Sequence, residues 1–301
     1  MEITAANMAI LFTGVSTQFK DAFARFTDES WKQFAYLQPM ATGVIEMPIL
    51  EQIAGMREWV GTRKINKLSA QSLTVKARSF ELTYELPREA VEDDMYGIYS
   101  SKLEQMAMSC AQLPNDLLTD CLNNAAAAKR LDGSAFFGTS RKYGKTAIAN
   151  TTTAELTQDS LKEAYTTMTA YNGHENSPLK VRPSLLIHGS ALKFKVKELL
   201  ESENILQDGE KGSAAVPNLT RGLVRSIEVP GLTGNKWFLA ATDGVYKPLY
   251  YFERRRPSQI VCKDKETDDN VWAENKFLYG AYGRAEAAFV LPHLIYFGNA
   301  D

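Results

Sequence analysis

Near its start the chain reads Glu58-Trp59-Val60-Gly61-Thr62-Arg63, and after a strand-like run it reads Glu92-Asp93-Asp94-Met95-Tyr96-Gly97-Ile98-Tyr99. The residues between these two stretches are polar and extended in pattern, and a long helical pattern follows at once. An exposed two-stranded arm has no hydrophobic core of its own and is only marginally stable alone. We therefore expect an arm that other subunits cover, which is an unusual opening for an enzyme.

Within this excursion, apolar residues recur at every second position from 63 to 86, but the phase changes once. One face would carry Leu73, Val75 and Ala77, and the other would carry Phe80, Leu82, Tyr84 and Leu86. A slip of one residue predicts a bulge or a sharp twist in the strand. The whole pattern predicts a long β-hairpin with a polar tip, and its outer part, residues 62–79, should contribute little to the fold.

Helical periodicity flanks the excursion on both sides. Residues 5–28 place apolar side chains, Phe19 and Phe23 among them, at spacings of three and four. Residues 99–128 continue one apolar stripe over about 45 Å, and Pro114 should kink that helix. Since the phenylalanine face has no partner within residues 1–45, we expect the first helix to lie across the long helix of its own or an adjacent subunit.

The second half of the chain alternates between helix and strand patterns. Helices are predicted at 161–169 and 191–200, strands at 184–188, 223–229, 237–241 and 248–252, and a flexible loop at 205–218. Residues 285–297 are apolar on both faces, which is typical of a strand at the centre of a sheet. Because that strand must complete a core begun by the long helix, residues 155–245 are predicted to form an inserted subdomain.

Composition narrows the class of protein. The chain has 301 residues, of which 45% are hydrophobic, and a formal net charge of −2, which argues against a dedicated nucleic-acid binder. Its three cysteines have no close spacing and are read as buried thiols of a reducing compartment. The first residues lack a secretion-signal pattern, and no apolar run approaches the length that spans a bilayer. We expect a soluble cytosolic protein.

Four blocks of sequence, in this order along the chain, resemble the Mu-like phage major head subunit (gpT) family. They are Glu58 to Arg63; Glu92-Asp93-Asp94 with Gly97-Ile98-Tyr99; Asp132-Gly133 with Phe136-Phe137; and Phe252-Glu253-Arg254-Arg255-Arg256-Pro257 followed by Asp268-Asp269 and Phe277-Leu278-Tyr279-Gly280-Ala281. Each block alone is a weak signal, whereas four in register are fairly specific. Residues 150–245 match poorly, so the inserted lobe rests on periodicity alone.

The resemblance implies an α+β protein with the HK97-like major capsid protein fold. It would have an N-terminal arm (1–45), an extended loop (46–86), a peripheral domain (87–150 and 246–301) that contains the long spine helix, and an axial domain (151–245). The expected function is that of the major capsid protein of a Mu-like tailed phage or prophage. Copies of the chain would form pentamers and hexamers of an icosahedral shell that encloses double-stranded DNA.

The resemblance also implies partners and a location. We expect a separate scaffold protein, because no charged helical segment precedes the arm in this sequence, together with a portal and, optionally, decoration proteins. Contact with packaged DNA would be non-specific, and no membrane is involved. The location would be the virion, with the host cytoplasm as the site of assembly.

Catalytic, cofactor-binding and metal-binding residues are not predicted. His174, His188 and His293 are far apart in sequence and are read as structural, and the common nucleotide-binding and hydrolase motifs are missing from the sequence. Acidic clusters at 92–94 and 264–269 could hold a hard cation. The favoured interpretation is a helix junction for the first cluster and a polar loop for the second.

Subunit contact is the role predicted for nine residues. They are Phe19, Phe23, Trp59, Arg63, Lys67, Lys76, Arg254, Arg255 and Arg256. The arginine run is expected to pair with carboxylates within or between subunits in preference to DNA, because one short basic run supplies little affinity for a polyanion. Hairpin lysines also open the alternative of covalent lysine–asparagine crosslinks, although a solvated hairpin is the favoured interpretation.

Two rival functions stay open at this point. An encapsulin-like compartment shell would have the same fold with an enzyme as its cargo. An α/β enzyme built on the 155–245 lobe is the rival from a different class, and a soluble, active monomer would favour it.

Overall fold

The computed structural model describes residues 5–50, 70–93, 98–130, 133–143, 146–173, 178–209 and 212–300. The helices in these ranges are α1 (Ala5–Phe26), α2 (Arg88–Glu92), α3 (Ile98–Asn123), α4 (Gln158–Thr169), α5 (Lys193–Glu201) and α6 (Asp269–Glu274). Short 3₁₀ turns lie at Ser30–Gln33, Ala125–Ala127, Ser190–Leu192 and Pro292–Leu294.

The first eight strands in the described ranges are β1 (Ala35–Pro39), β2 (Val44–Leu50), β3 (Ala70–Lys76), β4 (Arg78–Pro87), β5 (Arg141–Tyr143), β6 (Thr146–Ile148), β7 (Thr151–Thr152) and β8 (Leu185–His188). The remaining strands are β9 (Asn204–Gly209), β10 (Gly212–Pro217), β11 (Arg225–Glu228), β12 (Trp237–Ala240), β13 (Leu249–Arg255), β14 (Ile260–Lys263), β15 (Lys276–Phe289) and β16 (Ile295–Gly298).

The first of two five-stranded sheets is built around the 14-residue strand β15. On one side β15 pairs antiparallel with β4 along ten residues, and on the other side it pairs with β14 and β13, while β1 adds to β13 in parallel. Burial alternates along β15, with Phe277, Tyr279 and Ala281 on the buried face. That face packs on α1 and α3. Because alternate residues of a strand point to opposite faces of the sheet, covering one face buries every second residue.

The second sheet has the order β11-β8-β12-β16-β7. Strands β8, β12 and β16 are buried at every residue, because both faces of this sheet are covered. Leu186 and Leu239 face α4 and α5, whereas Leu185 and Phe238 face the end of α3 and the first sheet. Helices and strands alternate in this part of the chain, as predicted, but β7 and β16 add strands from residues 151–152 and 295–298 to the same sheet. The inserted subdomain at 155–245 stays a prediction.

Asn150 ties the two sheets together. Its side chain is fully buried, its Oδ1 accepts from the backbone N–H of Gly138 at 2.9 Å, and its Nδ2 donates to the carbonyls of Phe136 and Pro292. The Pro292 turn is the link between β15 in the first sheet and β16 in the second. A buried amide with three protein partners satisfies its polar atoms and fixes this link in one geometry.

Three predictions from the sequence are wrong. Residues 205–218 are not a loop: β9 and β10 pair there as an antiparallel hairpin. Residues 285–297 are not one strand, because the turn at Pro292–Leu294 divides them between the two sheets. The long helix ends at Asn123 and not at 128, although it does run through Pro114 as a single helix.

The excursion also differs in detail. Its change of phase falls at Ala77, where the backbone leaves one sheet and enters another: β3 pairs with β2 as a two-stranded ribbon, and β4 pairs with β15. The hairpin arms are therefore β2 and β3, which are separated by residues 51–69. Its predicted polar tip, at 64–69, lies outside the described residues.

Candidate assembly surfaces

The N-terminal helix α1 packs on the long helix α3 of its own subunit. Phe19 is fully buried and Phe23 is nearly so, and they share a cluster with Leu103 and Met106 of α3. An ion pair of 3.0 Å between Arg25 and Glu104 joins the same two helices at the surface. The first of the two alternatives, that the phenylalanine face lies on the long helix of its own subunit, is therefore confirmed.

This packing limits the contact role predicted for Phe19 and Phe23. Both rings pack within one subunit, with a centroid separation of 6.3 Å. Phe19 is fully buried and has no surface to offer a neighbour, whereas Phe23 keeps a small exposed edge of 6%. The sequence could not choose between an internal and an external partner, because an amphipathic stripe looks the same in both cases.

The base of the β2–β3 ribbon is anchored to the body of the subunit. Val75 and Ala77 are buried in a cluster with Tyr250, Phe252 and Val290. The expectation that residues 62–79 contribute almost nothing to the fold is therefore wrong for their last part. Burial of this base fixes the direction in which the ribbon leaves the subunit.

Arg78 reinforces this anchor with a bidentate ion pair. Its guanidinium donates to both carboxylate oxygens of Glu286, at 2.7 and 2.9 Å, and it also lies over the ring of Phe80 at 5.4 Å. The hydrogen bond to Glu286 raises the pKa of Arg78 above its ordinary value. A planar bidentate pair of this kind gives the strand a fixed position as well as some stability.

The arginine run ends β13 and begins the turn that leads to β14. All three side chains are exposed; Arg255 lies over the ring of Tyr282 at 5.4 Å, and Arg256 lies over the ring of Phe23 at 5.2 Å. Within the described part of the chain, Arg254, Arg255 and Arg256 make no salt bridge to a carboxylate. Pairing of these arginines with carboxylates of another subunit stays a prediction.

The remaining predicted contact residues lie on the ribbon. Lys76 is exposed at the inner end of β3, opposite Val44. Trp59, Arg63 and Lys67 lie outside the described residues. Their contact role, like that of Lys76, stays a prediction.

A groove lies between α1 and the turn that joins β13 to β14. It has a volume of about 600 Å³, and its walls include Lys20, Phe23, Thr27, Arg256 and Ser258. The groove therefore combines an aromatic surface with two cations. Sequence reasoning missed it, because its two walls are more than 200 residues apart in the chain.

Large apolar side chains are exposed at several places on the subunit. Trp272 on α6 is 86% exposed, and Val245, Phe194 and Leu219 are each at least 74% exposed. Single exposed apolar residues are common on protein surfaces, but tryptophan is among the residue types enriched at the centres of interfaces, so Trp272 is a candidate contact residue. Sequence reasoning also missed Trp272, which lies just beyond the acidic stretch 264–269 that is interpreted as a polar loop.

The histidines play structural roles where they are described. His188 is buried, and its Nδ1 lies 2.9 Å from the carbonyl oxygen of Gly189. His293 is buried in the turn between the two sheets, and burial lowers its pKa to about 4. His174 lies outside the described residues.

The acidic stretch 264–269 is a structured turn. Its Asp268 accepts from the backbone N–H of Lys265 at 2.9 Å, and burial raises the pKa of Asp264. Among the described residues, no group of three or more His, Cys, Asp and Glu side chains is placed to hold a metal ion. The other acidic cluster, Glu92–Asp94, is described only in part. Nor does any described helix have the length and apolarity needed to cross a membrane.

Sequence comparison assigns this chain to a known family. A model of the Mu-like prophage major head subunit gpT family matches residues 8–155, 142–232 and 218–301. The chain belongs to this family. It is 22% identical over 289 residues to the major capsid protein of Escherichia phage Mu, with 96% of this chain and 72% of that protein covered. It is 23% identical over 287 residues to the FluMu prophage major head subunit of Haemophilus influenzae, covering 95% and 71%.

Solved structures of capsids share the fold of this gpT-family chain. The procapsid protein of bacteriophage JBD30 superposes with a TM-score of 0.60 at 23% identity, covering 98% of this chain and 76% of that one. The virus-like particle from Pyrococcus furiosus gives a TM-score of 0.53 at 8% identity, covering 95% and 98%. The HK97-like α+β fold expected from the resemblance is confirmed.

Proposed function

We propose that the chain is the major capsid protein of a Mu-like tailed phage or prophage, and that many copies assemble into an icosahedral shell around double-stranded DNA. The observation that carries this proposal is the match to one family of head subunits along residues 8–301, joined to a capsid fold. Pentamers and hexamers would be the building units. An encapsulin-like shell is not favoured, because the sequence matches head subunits of Mu-like phages.

The four-part organisation expected from the sequence belongs to this proposal. The segments 1–45 and 46–86 would act as arm and extended loop, and 87–150 with 246–301 as the peripheral domain. The axial domain, 151–245, would surround the symmetry axes. Two observations support the division: α1 packs on the spine helix, and the β2–β3 ribbon is a separate two-stranded sheet rooted on the body.

Contacts between copies would use the ribbon and the arginine run. Trp59, Arg63, Lys67 and Lys76 are the residues proposed on the ribbon, and Arg254 to Arg256 are those proposed on the body. The exposure of the three arginines supports this role. A scaffold protein, a portal, decoration proteins and non-specific contact with DNA complete the proposed set of partners. The JBD30 capsid, for comparison, is decorated with minor capsid protein trimers.

Electron microscopy of the purified protein tests the proposal. Closed particles of uniform diameter, formed by the chain alone or with a scaffold protein from the same genome, are the expected result. A protein that stays a soluble monomer at high concentration with and without scaffold would refute it. Virions purified from the host should contain the chain as their most abundant protein, and host cytoplasm should contain it during assembly.

A further inference from the structure

Trp272 is the most exposed large apolar side chain among the described residues. A tryptophan left in water in this way forgoes the burial of about 150–250 Å² of surface. It stands on a rigid platform and not on a loose loop. The next residue inward, Val271, is buried in the cluster beneath α1, and the Asn270 amide donates to the carbonyls of Lys263 and Lys276 at 3.0 and 2.6 Å.

The groove described above has the complementary chemistry. Its wall includes the exposed edge of Phe23, over whose ring the Arg256 guanidinium lies at 5.2 Å, and Arg256 and Lys20 supply two positive charges. Glu29, the acid on the groove's rim, is engaged by Lys32 at 2.5 Å. An indole is the best partner that a guanidinium finds among aromatic rings, and this groove is open enough to leave the Arg256 guanidinium within reach of one.

Charge also favours this pairing. The stretch Asp268–Glu274 that carries Trp272 holds three acidic residues and no basic one. The groove holds two cations close to an aromatic ring. An approach of α6 to the groove would therefore bring opposite charges together around an apolar centre, which is the usual layout of a specific contact.

Within one subunit the two surfaces do not meet. The groove is built from α1 and the turn before β14, whereas α6 follows the end of β14, and Trp272 is not among the residues that line the groove. Each subunit thus carries both the inserting side chain, Trp272, and the groove that would receive it, at different places on its surface. A contact between two different surfaces of identical chains is heterologous, and it closes into a ring when the rotation allows.

We infer that Trp272 of one copy of this chain inserts into the groove formed by Lys20, Phe23 and Arg256 of a neighbouring copy. The inference rests on the proposed function and assigns one of its subunit contacts. It gives one member of the arginine run a specific contact: Arg256 stacks on the neighbour's Trp272 indole and faces the acidic residues of the neighbour's α6. The occupant of the groove is a second copy, and neither a different protein nor a nucleic acid.

The test compares wild type with Trp272→Ala, Arg256→Gln and the double variant. Each single variant should raise the protein concentration needed for half-assembly by about tenfold or more, as expected for the loss of an anchor residue. The double variant should be little worse than either single one, because both remove the same contact. Trp272→Phe keeps an aromatic ring and is the matched control, and it should assemble at close to the wild-type concentration. Thermal melts of unassembled subunits should be alike for Trp272→Ala and wild type, since the side chain is exposed.

Fluorescence gives an independent readout. The difference between wild type and Trp272→Phe isolates the emission of Trp272, which acrylamide should quench readily in free subunits and poorly in assembled particles. Wild-type assembly with Trp272 still quenchable, or normal assembly of Trp272→Ala, would overturn the inference and leave the proposed function standing. Additive losses in the double variant would overturn it as well. Failure of wild type to form any particle would remove the proposed function and the inference together.

Discussion

Replacing Phe19 by Ala should lower the free energy of unfolding of the isolated subunit by about 3–5 kcal/mol. The ring is fully buried and lies among side chains of α1, α3 and β15, so the loss combines the transfer of the ring to water with the cavity that remains. For a chain of this size about 2 °C of melting temperature corresponds to each kcal/mol, so the expected shift is about 6–10 °C.

The assay is a thermal melt of subunits kept dilute enough to remain unassembled, followed by calorimetry. Gln18→Ala is the matched control, because Gln18 is the exposed neighbour on the same helix and its loss should leave the melt unchanged. Assembly of Phe19→Ala should be impaired only where the subunit itself is partly unfolded. A melt equal to that of wild type, combined with failed assembly, would refute the reasoning and return Phe19 to a role in contact between subunits.

Further predictions concern the turn, the second sheet and the ribbon. Because burial lowers the pKa of His293 from 6.5 to about 4, protonation favours the unfolded chain, and about 3 kcal/mol should be lost as the pH falls from above 6.5 to below 4. Urea titrations at several pH values should show that the free energy of unfolding depends less on pH in His293→Gln than in wild type. The same pH dependence in both would exclude His293 as its cause. Gly298→Ala should cost at least about 1–3 kcal/mol, since a methyl group there would overlap the buried Trp237 indole on the paired strand; an unaltered melt would contradict this packing. Deleting residues 51–69 and bridging the gap with Gly-Ser should leave the melting temperature of the subunit nearly unchanged and abolish closed shells. Deleting residues 62–79 should in addition lower the melting temperature. Equal melting temperatures for the two deletion variants would show that the base of the ribbon does not stabilise the subunit.

Elements with strong periodicity were predictable from the sequence. The apolar stripe at 99–123 predicted a helix, and this is confirmed. The first half of β15, from Lys276, was not predicted from periodicity, because only 285–297 was interpreted as a strand. The hairpin of β9 and β10 was missed because Gly212-Ser213-Ala214-Ala215 lacks the β-branched and aromatic residues that favour strands. Its pairing comes from register with β9 and not from the propensity of its own residues.

Partners were the second limit of sequence reasoning. A buried face shows that something covers it, but the covering element is chosen in three dimensions. Phe19 illustrates the point for α1, and Val75 illustrates it for the ribbon, where the cover is the subunit's own β13. The groove at Arg256 and the exposed Trp272 had no periodic signal at all, because an exposed residue in a polar stretch is the normal case for a loop.

The pairing of β4 with β15 has a consequence for synthesis of the protein. Arg78 and Glu286, which lock the two strands together, are 208 residues apart, a separation that a ribosome takes about 10–40 s to translate. During that interval the ten-residue β4 emerges with both edges open, and successive nascent chains on one messenger would display the same strand side by side. Arg78, Glu81 and Glu85 place like charges opposite one another in any in-register parallel pairing of two such strands, and Pro87 removes a donor at the end. We therefore expect these residues to disfavour pairing between nascent chains until the chain's own β15 has been made.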